Sequence, residues 1–384
     1  MTACIAVLNA GSSSIKFAVY AADLEDALLH GQIEGIGATP RLVMAGGISR
    51  DLPADTSHED ATRIILAREE DLPPGNILAA AGHRIVHGGM THAAPLLVTP
   101  TLLAELEALT PLAPLHQPYN LAPIRALTEH APHLPQVACF DTAFHRGQAA
   151  VARNYALPQR FTDEGVQAYG FHGLSYEYVT GALRGRAPDL AAGRVIIAHL
   201  GNGASLCAVR DGKSVATTMG FTALEGLVMG TRCGRLDPGI LLYLMRQHRM
   251  DAAAIEDLLY RHSGLLGVSG ISGDMRALRK SSASAARAAI DLFVYRIVRE
   301  IGSLVAALGG LDGLVFTAGI GEHDAATRAE ISAGCSWLGL HLDPALNQAG
   351  VGRVSGPDSK IACWVVPTDE EKMICRHTRK VAGL

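Results

Sequence analysis

Two stretches half a chain apart share one design. Val7-Leu8-Asn9-Ala10-Gly11-Ser12-Ser13-Ser14 runs an apolar strand into a glycine- and serine-rich turn, and a second strand follows from Lys16 to Tyr20. Ile196-Ile197-Ala198-His199-Leu200-Gly201-Asn202-Gly203-Ala204-Ser205 repeats it, followed by a strand from Leu206 to Val209. A third strand-to-glycine turn stands at Val315-Phe316-Thr317-Ala318-Gly319-Ile320-Gly321. A repeated strand–turn–strand unit predicts two related domains facing each other across a cleft. In open α/β sheets the loops after strands are where ligands gather. Short apolar runs alternating with helical patterns set the class as α/β. Strands are expected at 4–9, 16–20, 136–140, 194–200, 205–209, 313–317 and 362–366. A helix is expected within 281–308, where Ile290, Val294, Ile297, Val298, Ile301, Leu304, Val305 and Leu308 recur at steps of three and four. The 384 residues exceed one ordinary core. The boundary is placed near 145, giving a first domain of 1–145 and a second of 146–370. The last helix, from about 371 to 384, returns to the first domain.

Composition removes whole classes of function. With 48% hydrophobic and 18% charged residues the chain is not disordered. A net charge of −4 argues against a nucleic-acid binder working through a basic surface. Cys4, Cys139, Cys207, Cys233, Cys335, Cys363 and Cys375 form no CxxC pair and fit neither a disulfide framework nor a zinc site. They read as buried small hydrophobes in a reducing compartment. The stretch 301–320 is apolar enough to resemble a membrane span, but Asp312 sits within it among Gly309, Gly310 and Gly313. A helix end, a turn and a buried strand are expected there instead. The chain opens on a strand-like run, Cys4 to Leu8, without a basic segment or cleavage site, so a cytoplasmic protein with no secretory signal is expected.

Several motifs carry polar chemistry, and each has a plain structural alternative. Glycine lets backbone amides approach a phosphate, and Asn9, Ser12, Ser14 and Lys16 would line the first turn. The same residues also make an ordinary tight hairpin. Neither GxxxxGK[ST] nor GxGxxG occurs. Asp141 ends the apolar run Cys139-Phe140, a place for a metal-binding or catalytic carboxylate or for a helix cap. Thr368-Asp369-Glu370-Glu371 reads as a capping box, with Thr368 at the N-cap and Glu371 three residues on, which leaves Glu370 to face a ligand. Arg84 and Arg232 each lie beside glycines, a setting that suits a guanidinium gripping a small anion or simply a structural arginine. His172 follows Gly170-Phe171 and would stabilise charge or be a satisfied core histidine. His83 and His87 stand four apart in a strand-like run without HExxH, so a zinc reading fails.

Taken together the motifs are specific. LNAGSSSIKF, GHRIVHGG, LAPLHQPYN, FDTAFH, YGFHG, HLGNGASL, MGFTALEGLVMGTRCG, FTAGIGE and PTDEE lie between residues 8 and 371, within a likeness that runs from residue 5 to about 378. The chain thereby resembles the acetate kinases, which belong to the superfamily of sugar kinases, actin and heat-shock ATPases. The resemblance implies two duplicated ribonuclease H-like (actin-like ATPase) domains and a homodimer formed through the second. It implies reversible transfer of the ATP γ-phosphate to acetate, giving acetyl phosphate and ADP, with Mg²⁺ or Mn²⁺. Carried over by position, Asn9, Ser12, Ser14 and Lys16 belong to the first phosphate hairpin, and His199, Leu200, Gly201, Asn202 and Gly203 to the second. Asp274, Met275, Arg276, Gly319, Ile320, Gly321 and His323 match nucleotide positions. Asn9, Asp141 and Glu370 match metal positions. Arg84, Asp141, His172, Asn202 and Arg232 match positions around the transferring phosphoryl group. Val86, Leu115, Phe171 and Ala223, with Arg84, match the acyl pocket. Ala223 replaces the family's usual proline, His323 its usual asparagine, and Leu174 and Tyr176 the threonine and histidine of HGTSH.

The implied chemistry is self-consistent. A carboxylate is already ionised at neutral pH, so it attacks phosphorus without a general base. The difficulty is bringing two anions together, which arginines, a histidine, a lysine and a metal address. A sugar kinase would need Asp141 as a base and a polar pocket, and an actin-like or chaperone-type ATPase would need no acid. Propionate and other short acyl substrates remain alternatives.

Overall fold

A computed structural model describes residues 2–384, which divide into two units: 2–146 with 369–384, and 147–368. The first strand of unit 1, β1 (Thr2–Ala10), is buried over its last seven residues, as expected of a central strand covered on both faces. Ala10 turns through Gly11, whose amide donates to the Ser14 carbonyl at 2.7 Å, into the antiparallel β2 (Ser14–Ala21). There follow β3 (Ala27–Glu34), β4 (Arg41–Met44), β5 (Ser49–Asp51), β6 (Asn76–Ile85), β7 (Leu96–Leu97) and β8 (Gln136–Phe140), in the order β5-β4-β3-β2-β1-β6-β8-β7. The pairs β1/β6 and β6/β8 are parallel. Helix His58–Leu66 covers one face through Ala61, Ile65 and Leu66, which pack with Leu8, Ile15, Phe17 and Ile33.

The closing helix, Glu370–Ala382, packs against β1, β6 and β8. Gly82 permits this approach: a Cβ there would fall 2.1 Å from Thr378 Oγ1 and 2.7 Å from Ile374 Cγ2. The cap of this helix differs from expectation. Asp369, not Thr368, is the N-cap, and its side chain accepts from the Lys372 amide at 2.8 Å. Glu371 therefore lies one position too early to close a capping box, and its carboxylate accepts instead from Asn9.

Unit 2 repeats the core. Strands β9 (Arg194–Leu200), β10 (Ala204–Arg210), β11 (Lys213–Thr217), β12 (Gly313–Thr317), β13 (Gly352–Arg353) and β14 (Ala362–Val365) form a sheet in the order β11-β10-β9-β12-β14-β13. The run β11-β10-β9-β12-β14 matches β3-β2-β1-β6-β8 in order and in sense: two antiparallel pairs, then two parallel ones. The long helix spans Ser284–Leu308 and buries Ile290, Phe293, Ile297, Ile301, Leu304 and Leu308. It ends at Gly309 with φ 70°, a left-handed cap that glycine adopts without strain, and β12 follows. The apolar stretch 301–320 is thus a helix end, a turn and a buried strand. Among the described residues no helix is long and apolar enough to cross a membrane. All seven cysteines are thiols, six of them buried.

Candidate active site

In unit 1 the polar residues gather where β1, β6 and β8 end. Asp141 directly follows β8 and is fully buried, and its carboxylate takes a fork from Arg84 near the end of β6. Arg84 Nε donates to both carboxylate oxygens at 3.1 Å, and Nη2 donates to Oδ2 at 2.6 Å. Nη1 reaches Asn9 Oδ1 at 3.3 Å. Asn9 then donates from Nδ2 to Glu370 at 3.1 Å and to Glu371 at 2.8 Å. The guanidinium fork expected for a substrate anion is therefore turned on Asp141 in this structure. Burial opposes the charge on Arg84, but Asp141 first, then Glu370 and Glu371, outweigh it and hold the group firmly cationic.

The carboxylates are crowded. Burial first, and the charge of Glu370 second, raise the Glu371 carboxyl above its ordinary range, against the pull of Lys16 and Asn9. Such a surplus of hard oxygen donors suits a divalent cation of the magnesium type. Among the described residues no three His, Cys, Asp or Glu side chains are grouped to hold a metal alone. Magnesium typically uses one or two protein carboxylates and completes its shell with water and substrate phosphates. Ser12 and Lys16 are exposed and Ser14 half-buried on the β1–β2 turn. Val86 is buried, its amide held by Asn120 Oδ1 at 2.8 Å, while Asn120 Nδ2 donates to the Ala10 carbonyl at 2.6 Å. Asn120 thus ties the ends of β1 and β6 together. Leu115 is half-buried.

In unit 2 the β9–β10 turn is the focus. Leu200 pairs with Ala204, and the Gly201 amide donates to the Gly203 carbonyl at 3.1 Å. Two side chains bear on the bare backbone of Gly203: a Cβ there would lie 3.3 Å from His172 Nε2 and 3.9 Å from Arg232 Nη1. Asn202 lies against Gly230, whose imaginary Cβ would stand 2.1 Å from Asn202 Oδ1. The approach at Gly230 leaves no room for a side chain, whereas that at Gly203 is tight without being a clash. Arg232 Nη1 donates to the Ala223 carbonyl at 3.0 Å, which fixes the 218–234 loop against the arginine. His172 holds φ 58°, left-handed for a non-glycine residue, directly before helix Gly173–Arg186. Phe171 beside it is buried.

A cavity of about 860 Å³ opens next to this turn. Gly201, Asn202, Asp274, Met275, Arg276, Gly319, Ile320 and His323 all line it. Asp274 caps helix Met275–Lys280 and pairs with the exposed Arg276 at 2.6 Å. His323 is largely exposed, and Gly321 is buried with its carbonyl bonded to Arg328 at 3.0 Å. Arg279 and Lys280 also line the cavity and were not singled out from sequence, since nothing local separates them from surface cations.

His172 and His199 stack, their ring centroids 4.1 Å apart and inclined 15°. His172 Nδ1 meets Ser205 Oγ at 2.8 Å, and Ser205 Oγ also meets the hydroxyl of Tyr176. His199 Nδ1 meets Ser175 Oγ at 2.8 Å, and Thr368 donates its hydroxyl to Ser175 at 2.8 Å. Ser175 and Ser205 escaped the sequence reading, and Tyr176 entered it only as a departure from the family motif, with no role assigned. A guanidinium, an imidazole, a carboxamide and a naked turn beside a cavity can bind and neutralise phosphate oxygens.

Comparison with known proteins agrees with this chemistry. The model of the acetokinase family matches residues 4–376. The chain is 53% identical to the acetate kinase of Rhodopseudomonas palustris, over all of this chain and 99% of that one. A crystal structure of a propionate kinase from Francisella tularensis is 36% identical with a TM-score of 0.93, covering 99% of this chain and all of the other. The crystal structure of Porphyromonas gingivalis acetate kinase is 37% identical with a TM-score of 0.88 and covers 99% of each chain.

Proposed function

The chain belongs to the acetokinase family, and from that premise we propose that it is an acetate kinase, transferring the γ-phosphoryl group of ATP reversibly to acetate. An acetate oxygen attacks the γ-phosphorus in line, the new P–O bond forms, the bond to the β,γ-bridging oxygen breaks, and ADP leaves. The reading rests chiefly on one observation, the meeting of His172 and Arg232 over the bare Gly203 turn. Those groups suit an anionic phosphoryl group, and no general base is needed when the acceptor is a carboxylate.

In this reading Asp274, Met275, Arg276, Gly319, Ile320, Gly321 and His323 hold the nucleoside. His199, Leu200, Gly201 and Gly203 carry its phosphates together with Ser12, Ser14 and Lys16. Asn202, His172 and Arg232 stabilise the charge on the transferring group, Arg232 through its own positive charge. Arg84 binds the acetate carboxylate and also orients Asp141. Val86, Leu115, Phe171 and Ala223 surround the methyl group. Asn9, Asp141 and Glu370 would hold Mg²⁺ or Mn²⁺, which supplies positive charge to the nucleotide phosphates. The protein is proposed to work in the cytoplasm as a homodimer. Helix Pro238–Gln247 supports the dimer, because it exposes Ile240, Leu242, Tyr243 and Met245 and suits a second copy of the chain.

The test is a hydroxamate assay for acyl phosphate across a carboxylate series, with ATP turnover followed in parallel. ATP turnover that depends on acetate, with acetyl phosphate formed, supports the reading. Turnover without added acid would favour an actin-like ATPase, and turnover with a sugar a sugar kinase. A stronger response to propionate would favour the propionate kinase alternative.

A further inference from the structure

The stacked histidines are fed by hydroxyl groups in the same way, one relay to each ring. On one side Tyr176 is fully buried, and burial pushes its phenol well above the ordinary range, so it stays a proton donor. When the phenol donates to Ser205 Oγ, the serine's own proton is left for its other neighbour, His172 Nδ1. On the other side Thr368 donates to Ser175 Oγ, so the Ser175 proton goes to His199 Nδ1. An imidazole that accepts at Nδ1 carries its proton on Nε2 and is neutral. The stack adds that the two rings are not both charged, because two imidazolium ions with centroids 4.1 Å apart would repel.

We propose that two hydroxyl relays, Tyr176–Ser205 and Thr368–Ser175, hold His172 and His199 as a stacked pair of neutral imidazoles protonated on Nε2, and that Tyr176 and Ser175 are positioning residues for that pair. The Nε2 of His172 faces the bare Gly203 turn. It therefore offers a bound phosphoryl oxygen a directed hydrogen bond rather than a net charge. A cationic His172 would have to donate from Nδ1 to Ser205 Oγ, which would then accept from both neighbours and leave the serine's own proton with neither of them as acceptor. This inference rests on the reading that His172 meets the transferring group. It adds a role for Tyr176, which stands where the family that the motifs resemble usually carries histidine.

The test is nitrogen NMR of the intact enzyme labelled with ¹⁵N-histidine at neutral pH, with the His172 signals identified by their loss in His172→Gln. Both rings should show the neutral Nε2–H pattern. In Tyr176→Phe, which keeps the ring and removes only the hydroxyl, the His172 signals should move toward mixed tautomers while those of His199 stay. The kcat should then fall about tenfold, with KM for ATP and acetate within about twofold, as expected when an aligned hydrogen bond is lost. Ser205→Ala cuts the same relay at its other link and should give the same His172 pattern, which guards against a folding artefact in one variant. A doubly protonated or Nδ1–H pattern in the unaltered enzyme overturns the proposal, and so do unchanged His172 signals in both variants. Shifted signals with unchanged kcat would uphold the relay and remove His172 from phosphoryl transfer.

Discussion

Replacing Arg84 by methionine should destabilise the first unit as well as stop turnover, because Asp141 would lose its counter-ion where water does not reach. The Asp141 side chain is 1% exposed and that of Arg84 20%. Three N–H···O contacts at 3.1, 3.1 and 2.6 Å join them. Charge-assisted bonds contribute about 1.5–3 kcal/mol each, but their sum overstates the effect, since desolvating both ions opposes it. Stripping one partner from a buried pair costs about 3–5 kcal/mol, against a total folding stability of about 5–15 kcal/mol. Arg84→Met should therefore remove about a fifth or more of the margin. Arg84→Met combined with Asp141→Asn removes both charges and should cost only about 1–2 kcal/mol, about 2–3 kcal/mol less than Arg84→Met alone, and the coupling in the cycle exceeds that difference by whatever Asp141→Asn costs alone. Both tryptophans, Trp337 and Trp364, lie in unit 2. Fluorescence would thus miss the event, and hydrogen exchange of the amides of β1, β6 and β8 under increasing urea reads it. All the variants lose activity, so the stability cycle carries the decision. A single variant within about 1 kcal/mol of the parent, or a double variant as unstable as the sum of the singles, would refute the view that Arg84 is the structural counter-ion of Asp141.

Arg232→Ala should lower kcat by several powers of ten, since a preorganised charge at the transferring group is worth roughly 3 kcal/mol or more, and lysine should rescue it poorly because it lacks the fork; near-normal steady-state turnover would remove Arg232 from the mechanism. Glu370→Gln should raise the magnesium concentration needed for half-maximal rate, whereas Asp369→Ala should leave that requirement alone and cost about 1 kcal/mol of stability in denaturation, as the loss of a helix cap does. Ala223→Pro should reduce propionate turnover more than acetate turnover, while the unaltered enzyme uses propionate within about tenfold of acetate in kcat/KM; equal effects on both acids would mean that this wall does not set chain length. His83 and His87 are both lowered to about 4 by burial, with the charge of Arg146 assisting at His87. The unfolded chain takes up their protons near 6.5 and the folded one only near 4, so stability is lost as pH falls through that window, by about 1.4 kcal/mol per pH unit for each histidine. Denaturation midpoints at several pH values check this, and His83→Gln should flatten the slope.

The sequence by itself determined the elements whose signal is local. The expected strands at 4–9, 16–20, 136–140, 194–200, 205–209, 313–317 and 362–366 all fall on observed strands. Each is an apolar run closed within a few residues by glycine, proline or a charge, and such a run buries itself in a sheet wherever the rest of the chain goes. The helix within 281–308 was legible for the same reason, its stripe being periodic and its stop a glycine. Strands with weak local preference were not legible. β3, ALLHGQIE, is mostly half-exposed, and β6, NILAAAGHRI, is rich in alanine and glycine, so each becomes a strand only by pairing with β2 or β1. The motifs likewise pointed to candidate residues but not to how those residues pair. Glu371 was read as a helix cap because its spacing fits one; a shift of one residue at the helix start gave that task to Asp369 and left Glu371 against Asn9, 362 positions away. Tyr176, on helix Gly173–Arg186, could not be interpreted from its neighbours, because its partner Ser205 lies 29 residues on in strand β10. Periodicity and turn chemistry act over a few residues and so can be read along the chain. The partner of a buried polar group is decided by which backbones the finished sheet brings together, and that information exists only in the folded structure.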